Sequence, residues 1–580
     1  MRLKLIAIAA LPGLLFACAP KPVIVETPCV ECRTLRHRIE LGMKRKVRGE
    51  TLAMPKTDSR FYHAEEDRLV WSTDGCLLPR ATALMDALRA SDEEGLTPGE
   101  YHLHALDQIL KRWPDPLKGS ASPELATDAD ILFTDAYLLY ASQLLGGRTN
   151  PEMARAQWSI VRKKADLVDT MSSAIATNDI AGSLRRMAPG HAGYTRLRSL
   201  LGDYRRIAHD GGWPQIPSGP ALRRGMSDAR VPTLRRRLAI EAFDVPPEEK
   251  SKKFDGRLER RLKEFQSSHG LDADGHVGPE TLAQLNVPVE DRINQIKFSM
   301  DRWRWLPLDL GRRFIIVNIP EYRLFAFENG RPSLAMPIIV GKNNDETATP
   351  VFSNQMTYLE FSPEWLVPAR IAKEEMLPAI RRDPNYIKRN HLEVLVATSP
   401  TAAWSPVNPA DVDWASVSTT TPGGFPYFFR QSPGPWNALG PIKFMFPNEY
   451  SVYIHGNPEE GLFDRRLRMF SHGCVRVDRP ITLAKWVLND PDWTLDRLKQ
   501  YMNQPKPVQV PLGEPVPVYI VYFTAWVDDE GKANFRDDIY GRDLEMRQRF
   551  YAEPAPPKDA AKEPAPTPAP SKKRSPKKSG

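Results

Sequence analysis

The hydrophobic period of this 580-residue chain changes once, near Arg313, and that change limits what it can fold into. Before it, "ATALMDALRASDEEGLTPGEYHLHAL" and "DADILFTDAYLLYASQLLGGRTNP" place apolar residues at helical spacing, Ile131, Leu132, Tyr137, Leu138 and Leu145 among them, and Gly146-Gly147 ends the second helix. After it, "RFIIVNIPEYRLFAFENGRPSLAMPIIVG" alternates apolar and polar residues around the hairpin turn Asn329-Gly330, with Pro332 and Pro337 confined to edges or bulges. "MTYLEF", "KFMFP", "SVYIHG" and "VPVYIVYFTAWV" continue as strands, and "PITLAKWVL" reads as a helix. A chain this long exceeds one core. The expected fold class is therefore multidomain α+β, with a helical scaffold followed by a mainly-β domain.

Between these regions lies a small, sharply bounded unit. "VPTLRRRLAIEAF" and "FDGRLERRLKEFQSSHGLDADGHVGPETLAQLNV" predict three short amphipathic helices. Leu234 and Leu238 face inward on the first, Leu258, Leu262 and Phe265 on the second, and Leu282 and Leu285 on the third, which Pro279 opens. Asp272-Ala-Asp-Gly275 outlines a calcium loop but lacks the bidentate Glu downstream, so a metal role is rejected. The pattern F…FQ…GL…DG.(I/V)G..T…LN resembles the three-helix peptidoglycan-binding domain.

The first residues bear on compartment. "MRLKLIAIAALPGLLFACAP" has a basic start and an apolar run from Leu5 to Phe16 too short to span a bilayer, as in a signal peptide. Leu15-Phe16-Ala17-Cys18 resembles a lipobox, which implies lipidation of Cys18. Ala19 after it implies outer-membrane anchoring facing the periplasm. Ordinary secretion with cleavage near Ala17 or Ala19 is the alternative. Cys29, Cys32 and Cys76 are candidates for one disulfide in an oxidising space. Cys29, Cys32 and His37 make a poor zinc set, and no metal site is expected. The formal charge of +8 is uneven: residues 552–580 hold seven Lys/Arg against three Asp/Glu, and eight prolines mark that tail as disordered by composition. With no basic-aromatic stripe, nucleic acid is not an expected partner.

Cys474 is the only cysteine after Cys76, and a lone thiol kept in an oxidising compartment needs a reason. A thiol near its usual pKa of about 8.5 is only a few per cent ionised at neutral pH and needs a base or a positive environment. His455 stands nineteen residues earlier at the end of the strand "SVYI", and Ser471-His472-Gly473 just before Cys474 lets the backbone turn tightly and present amides. Thiol, histidine and amides are the parts of an acyl-transfer site.

"IHG…SHGCVRV", with "SPEWLVPARI", "PGPWNALGPIKFMFPNEYSVYIHG" and "LFDRRLRMFSHGCVRVDRP", resembles the L,D-transpeptidase family, whose catalytic domain is a YkuD-type β-sandwich. The order of helical region, peptidoglycan module and catalytic domain resembles its larger YcbB-like branch. The resemblance implies Cys474 as nucleophile, His455 as general base, Tyr453 and amides near Gly473 in the oxyanion hole, and His472 shaping the site. It also implies Arg476, Trp365 and Ser471 as substrate contacts. Structural roles are the competing expectation for His472, Tyr453 and Arg476. His455 is followed by Gly-Asn-Pro where relatives often carry Asp-Thr-Pro, a departure that bears on the groups around the histidine and not on its role as base, since a backbone carbonyl can orient the ring.

The expected division is a signal peptide (1–17), tether (18–57), helical scaffold (58–218), peptidoglycan-binding domain (219–288), catalytic domain (289–548) with a lid insertion at about 375–435, and a tail (549–580). His102 and His104 are expected in a surface loop. The implied reaction joins peptidoglycan tetrapeptide stems by 3-3 cross-links through a Cys thioester, with no cofactor. L,D-carboxypeptidase, D-amino-acid exchange, lipoprotein anchoring and a non-catalytic wall-binding scaffold are the alternatives. Expected partners are peptidoglycan, the membrane through the lipid anchor, and wall-synthesis proteins.

Overall fold

The computed structural model describes residues 30–40, 46–115, 119–149, 165–242, 250–396, 404–418 and 425–552. The signal peptide, Cys18, Cys29 and residues 553–580 lie outside them. No helix among the described residues is long and apolar enough to cross a membrane.

The scaffold is built around one helix, Pro123–Gly146. Ser122 caps it by accepting from Leu125 N at 3.2 Å, and the helix is apolar on nearly every side, as a helix surrounded by others must be. Its three buried aspartates organise the chain before it. Asp130 accepts from Val70 N (2.9 Å), Trp71 N (2.8 Å) and Tyr62 OH (2.8 Å). Asp135 accepts from Ala53 N (3.0 Å) and Met54 N (2.6 Å), and Asp128 pairs with Arg38 and Arg48. The expected tether at 18–57 therefore differs from the structure over its described part: Val30–Glu40 is a helix, and its Leu35 and Ile39 join the scaffold core. Cys32 is disulfide-bonded.

His102 is also corrected. It is buried, bonded through Nε2 to Asp135 (2.7 Å) and through Nδ1 to Glu50 (3.1 Å). Local sequence showed a turn there, whereas the partners come from 33 and 52 residues away. His104 is exposed.

The small module comprises helices Val231–Ala242, Gly256–Ser268 and Pro279–Leu285. Leu234, Leu238, Leu258, Leu262, Phe265 and Leu285 form its core, with Leu282 packed against it. The Asp272–Gly275 loop is organised by Gln266, which donates to Asp274 Oδ1 (2.7 Å) and accepts from Gly275 N (2.8 Å). Helix Val289–Arg304 then joins module to sandwich. Its Asp301 accepts from Arg148 N (2.7 Å), Thr149 N (3.0 Å) and Thr149 Oγ1 (2.6 Å), tying the scaffold to this joining helix.

The strands from Arg313 to Val521 build a nine-stranded mixed sheet that closes on itself as a sandwich. Its order is Met469–Ser471, Arg331–Gly341, Val475–Val477, Ile454–His455, Ile442–Met445, Phe352–Phe361, Val508–Val521, Arg313–Asn318 and Arg323–Glu328, the last pairing back with Arg331–Gly341. Inward residues of both layers, Ile315, Val317, Leu359, Phe361, Phe444, Ile454 and Val475 among them, make one core.

The insertion is a folded unit rather than a broken strand rhythm. Trp365–Leu366, Leu392–Val396, Ser405–Val407 and Tyr427–Gln431 form a separate four-stranded antiparallel sheet. Helical turns from Ala369 to Arg382 cover it, with a wide π-type turn over Ala372–Met376, and Ile371, Leu377, Val394 and Phe429 form its core. It begins at Trp365, ten residues before the expected boundary, because the entering strand pairs with the leaving one (Gln431↔Trp365).

Candidate active site

The thiol sits where two short parallel strands meet. Ile454–His455 pairs with Val475–Val477 in register Ile454↔Val475 and His455↔Arg476, and Val475 N donates to Tyr453 O at 3.1 Å. That register places Cys474 beside Tyr453. The two-residue pleat puts Tyr453 and His455 on one face, with ring centroids 5.6 Å apart.

The turn before Cys474 is held from several sides. Gly473 adopts φ +118, a conformation other residues rarely take. Ser471 Oγ donates to Cys474 O (2.6 Å) and accepts from Gly473 N (3.1 Å), and Thr349 Oγ1 donates to Gly473 O (2.9 Å). Two expectations change here. Ser471 is buried and builds the loop instead of touching substrate. The Gly473 N–H is occupied by Ser471, so it is not an oxyanion donor. The Cys474 N–H makes no hydrogen bond among the described residues, and with the Tyr453 hydroxyl it is the remaining donor set.

Cys474 Sγ donates to Ser451 O at 3.8 Å. Burial raises the thiol pKa, while main chain at Tyr453, Lys443, the Tyr453 hydroxyl and Arg476 oppose that rise. Burial, then the facing thiol, push the Tyr453 phenol upward. Lys443 Nζ lies over the Tyr453 ring, 4.2 Å from its centroid.

His455 is buried, and its Nδ1 has no hydrogen-bond partner among the described residues. Burial and then Arg476 push its pKa down to about 3, against main-chain groups of Gly456 and Leu439. It is thus a neutral imidazole at physiological pH. No direct hydrogen bond joins it to Cys474 among the described residues; Tyr453 lies beside both. Arg476 donates to Asn457 Oδ1 (3.2 Å) and stands opposite His455. The Asn of the Gly-Asn-Pro sequence therefore holds the arginine next to the histidine.

His472 points to the insertion. Its Nε2 lies 2.5 Å from Glu375 Oε1 on the π-type turn, and Lys342 Nζ lies 3.4 Å from the same carboxylate oxygen. The Glu375 carboxyl is held below its usual pKa by His472 and Lys342, although burial acts the other way. Trp365, expected as a substrate contact, belongs to the insertion and packs against the insertion's own apolar cluster. Sequence reasoning missed Lys443, Thr349 and Glu375. Lys443 was legible only as an outward position on an alternating strand, and Glu375 carried no local signal. Among the described residues, no group of three or more His, Cys, Asp or Glu is placed to hold a metal.

Comparison with known proteins identifies three matching regions. Residues 312–518 match the L,D-transpeptidase catalytic domain (YkuD), residues 227–285 a "Putative peptidoglycan binding domain", and residues 57–201 a "Scaffold domain". A Haemophilus influenzae protein described as "Putative L,D-transpeptidase" is 32% identical over 299 residues, which are 50% of this chain and 58% of that protein. The chain thus covers less than two thirds of that relative. Among solved structures, an L,D-transpeptidase from Mycobacterium smegmatis aligns at 13% identity and TM-score 0.17, over 36% of this chain and 58% of that one. An L,D-transpeptidase (residues 123–326) from Xylanimonas cellulosilytica aligns at 14% identity and TM-score 0.17, over 53% and 99%.

Proposed function

We propose that the protein is an L,D-transpeptidase that cross-links peptidoglycan stems with Cys474 as nucleophile, a reading supported by the match of residues 312–518 to the L,D-transpeptidase catalytic domain and by the 32% identical relative. The single observation that carries the proposal is the grouping of Cys474, Tyr453 and neutral His455 at two adjacent strands, beside a Cys474 N–H that makes no hydrogen bond among the described residues. In this reading His455, deprotonated at neutral pH, accepts the thiol proton. The thiolate attacks the carbonyl between the third residue of a tetrapeptide stem and its terminal D-Ala. The Cys474 N–H and Tyr453 hydroxyl receive the developing oxyanion. The C–N bond breaks, D-Ala leaves with the proton, and a thioester remains. The side-chain amine of a diaminopimelate on a second stem attacks that thioester, restoring the thiol and forming a 3-3 link. The lid latch between Glu375 and His472 excludes water while the thioester awaits the amine. The module at 227–285 would hold the wall strand. Lipidation at Cys18 would place the enzyme in the periplasm at the outer membrane, near wall-synthesis proteins.

The test is mass spectrometry of muropeptides after incubating the protein with disaccharide-tetrapeptide, beside Cys474→Ala. A dimer joined through two diaminopimelates and absent from the variant supports the proposal. Cys474-dependent tripeptide alone makes it a carboxypeptidase, and no Cys474-dependent product leaves a wall-binding scaffold.

A further inference from the structure

A cleft of about 240 Å³ opens where three parts of the chain meet, and none of its lining residues belongs to the site around Cys474. One wall is the module turn after helix Gly256–Ser268, a second is the sandwich corner Pro320–Arg323, and a third is the segment leading into the thiol loop, with Arg536 also in the lining. Arg323, Arg466, Arg468 and Arg536 line it, against the carboxylates Glu321 and Asp537.

Arg466 is engaged with Glu280 of the module. The other three arginines have no ion-pair partner among the described residues. Arg468 donates to main-chain oxygens of Arg465 (2.8 Å), Tyr322 (3.1 Å) and Ile338 (3.1 Å). Arg536 donates to Ser268 O (2.9 Å) and Phe535 O (2.7 Å). Arg323 is exposed, its guanidinium 5.8 Å from the Phe325 ring centroid. Asp537 is occupied by Gln284 (2.6 Å), and Glu321 accepts from Asn318 (3.1 Å). Tyr322 is 5% exposed, and its hydroxyl is buried without a hydrogen-bond partner among the described residues.

Carbonyl oxygens satisfy guanidinium N–H groups but do not neutralise their charge, and the amides of Gln284 and Asn318 do not neutralise Asp537 and Glu321; with Arg466 paired to Glu280, three guanidinium groups face two carboxylates, so the cleft keeps a net positive charge. The module turn is shaped to admit one of these charges: Gly270 has φ +69, and a Cβ there would lie 2.6 Å from Arg536 Cδ. Planar guanidinium forks match a carboxylate in two-point contact.

We infer that this cleft binds a carboxylate-bearing ligand, and that in the proposed reaction it holds a free carboxylate of a peptidoglycan stem at the seam between wall-binding module and catalytic domain. The peptidoglycan assignment rests on the function proposed above; the preference for a carboxylate does not. One strand gripped by module and sandwich together would be held in register with the thiol loop, which begins three residues after Arg468.

The experiment is calorimetric titration of the full chain with Cys474 alkylated, so that the active site is blocked. The probes are disaccharide-tetrapeptide, the same compound with every carboxylate amidated, and inorganic phosphate. We expect the free-acid probe to bind and the amidated one to bind at least about tenfold more weakly. Arg323→Gln/Arg536→Gln should weaken the free acid by a similar factor. Arg323→Gln alone, at an exposed site where folding is not at stake, should weaken it several-fold. Equal binding of the amidated probe, or no effect of either variant, overturns the cleft. Phosphate binding without tetrapeptide binding overturns the stem assignment. Because the thiol is blocked throughout, a catalytically inactive wild type that still binds here refutes the proposed reaction and not the cleft. An active enzyme without this binding does the reverse.

Discussion

Removing the hydroxyl of Tyr453 is the sharpest probe of how the thiol is activated. Tyr453→Phe keeps the ring against His455 and under Lys443 and deletes only the group facing Cys474. A hydrogen bond to a charged partner contributes about 1.5–3 kcal/mol, and at 1.36 kcal/mol per pKa unit its loss should raise the thiol pKa by about 1–2 units. Below that pKa the thiolate fraction then falls about 10- to 100-fold. The more basic thiolate is also intrinsically more nucleophilic, with a Brønsted slope of about 0.4–0.5, so the net fall in alkylation rate is about 3- to 16-fold. Above both pKa values the sign reverses, and the variant should react faster. Iodoacetamide alkylation of Cys474, followed by mass spectrometry from pH 6 to 11, reads both limbs. If the inflection stays in place, or the two profiles never cross, the Tyr453 hydroxyl does not stabilise the thiolate and its place in the site is structural.

Ser471→Ala removes a buried hydroxyl that bonds both Cys474 O and Gly473 N, and should lower stability by about 1–3 kcal/mol in thermal melts together with activity. Asp301→Ala strands the buried Arg304 and three donors at Arg148 and Thr149; chemical denaturation should show a loss of about 3–5 kcal/mol. His455 and His269 both have folded-state pKa values pushed down to about 3, chiefly by burial. The unfolded chain therefore binds protons first, and stability complete above about pH 6.5 should decline as pH falls toward 3, by at most about 1.4 kcal/mol per unit for each histidine. His455→Gln should flatten the slope of melting temperature between pH 6.5 and 4; an unchanged slope would show that this histidine is not buried neutral. Glu375→Gln weakens the lid's hold on His472 and should raise the ratio of tripeptide to cross-linked dimer in the muropeptide assay. A constant ratio would remove the lid latch from the mechanism.

Much of the architecture was legible because it is written in local periodicity. The core positions Leu234, Leu238, Leu258, Leu262 and Phe265 follow from helical spacing; the strands around Ile315 and Ile454 stand where they were expected, but every residue of both is buried, so neither alternates. The same reading failed where the partner is distant. His102 looked like a loop residue because Asp135 and Glu50, which bury it, are far along the chain. The described part of the expected tether joins the scaffold because carboxylates of a helix some eighty residues later satisfy its arginines and amides. The insertion looked irregular because its strands are short and its Pro- and Trp-rich segments hide an apolar core that exists only once Trp365 meets Gln431.

By itself, the sequence determined that a lone downstream thiol follows a turn-forming Ser-His-Gly, that a histidine ends a nearby strand, and that an amphipathic three-helix module precedes them. Those are short-range facts, fixed by residue type and spacing. Tertiary structure decided what the thiol experiences. Strand register set Cys474 beside Tyr453 and His455 opposite Arg476, the turn gave the Gly473 N–H to Ser471, and the lid brought Glu375 across 97 residues to His472. Electrostatic environment is a property of neighbours in space, and burial of the sandwich and lid cores, not any local preference near Cys474, chose those neighbours.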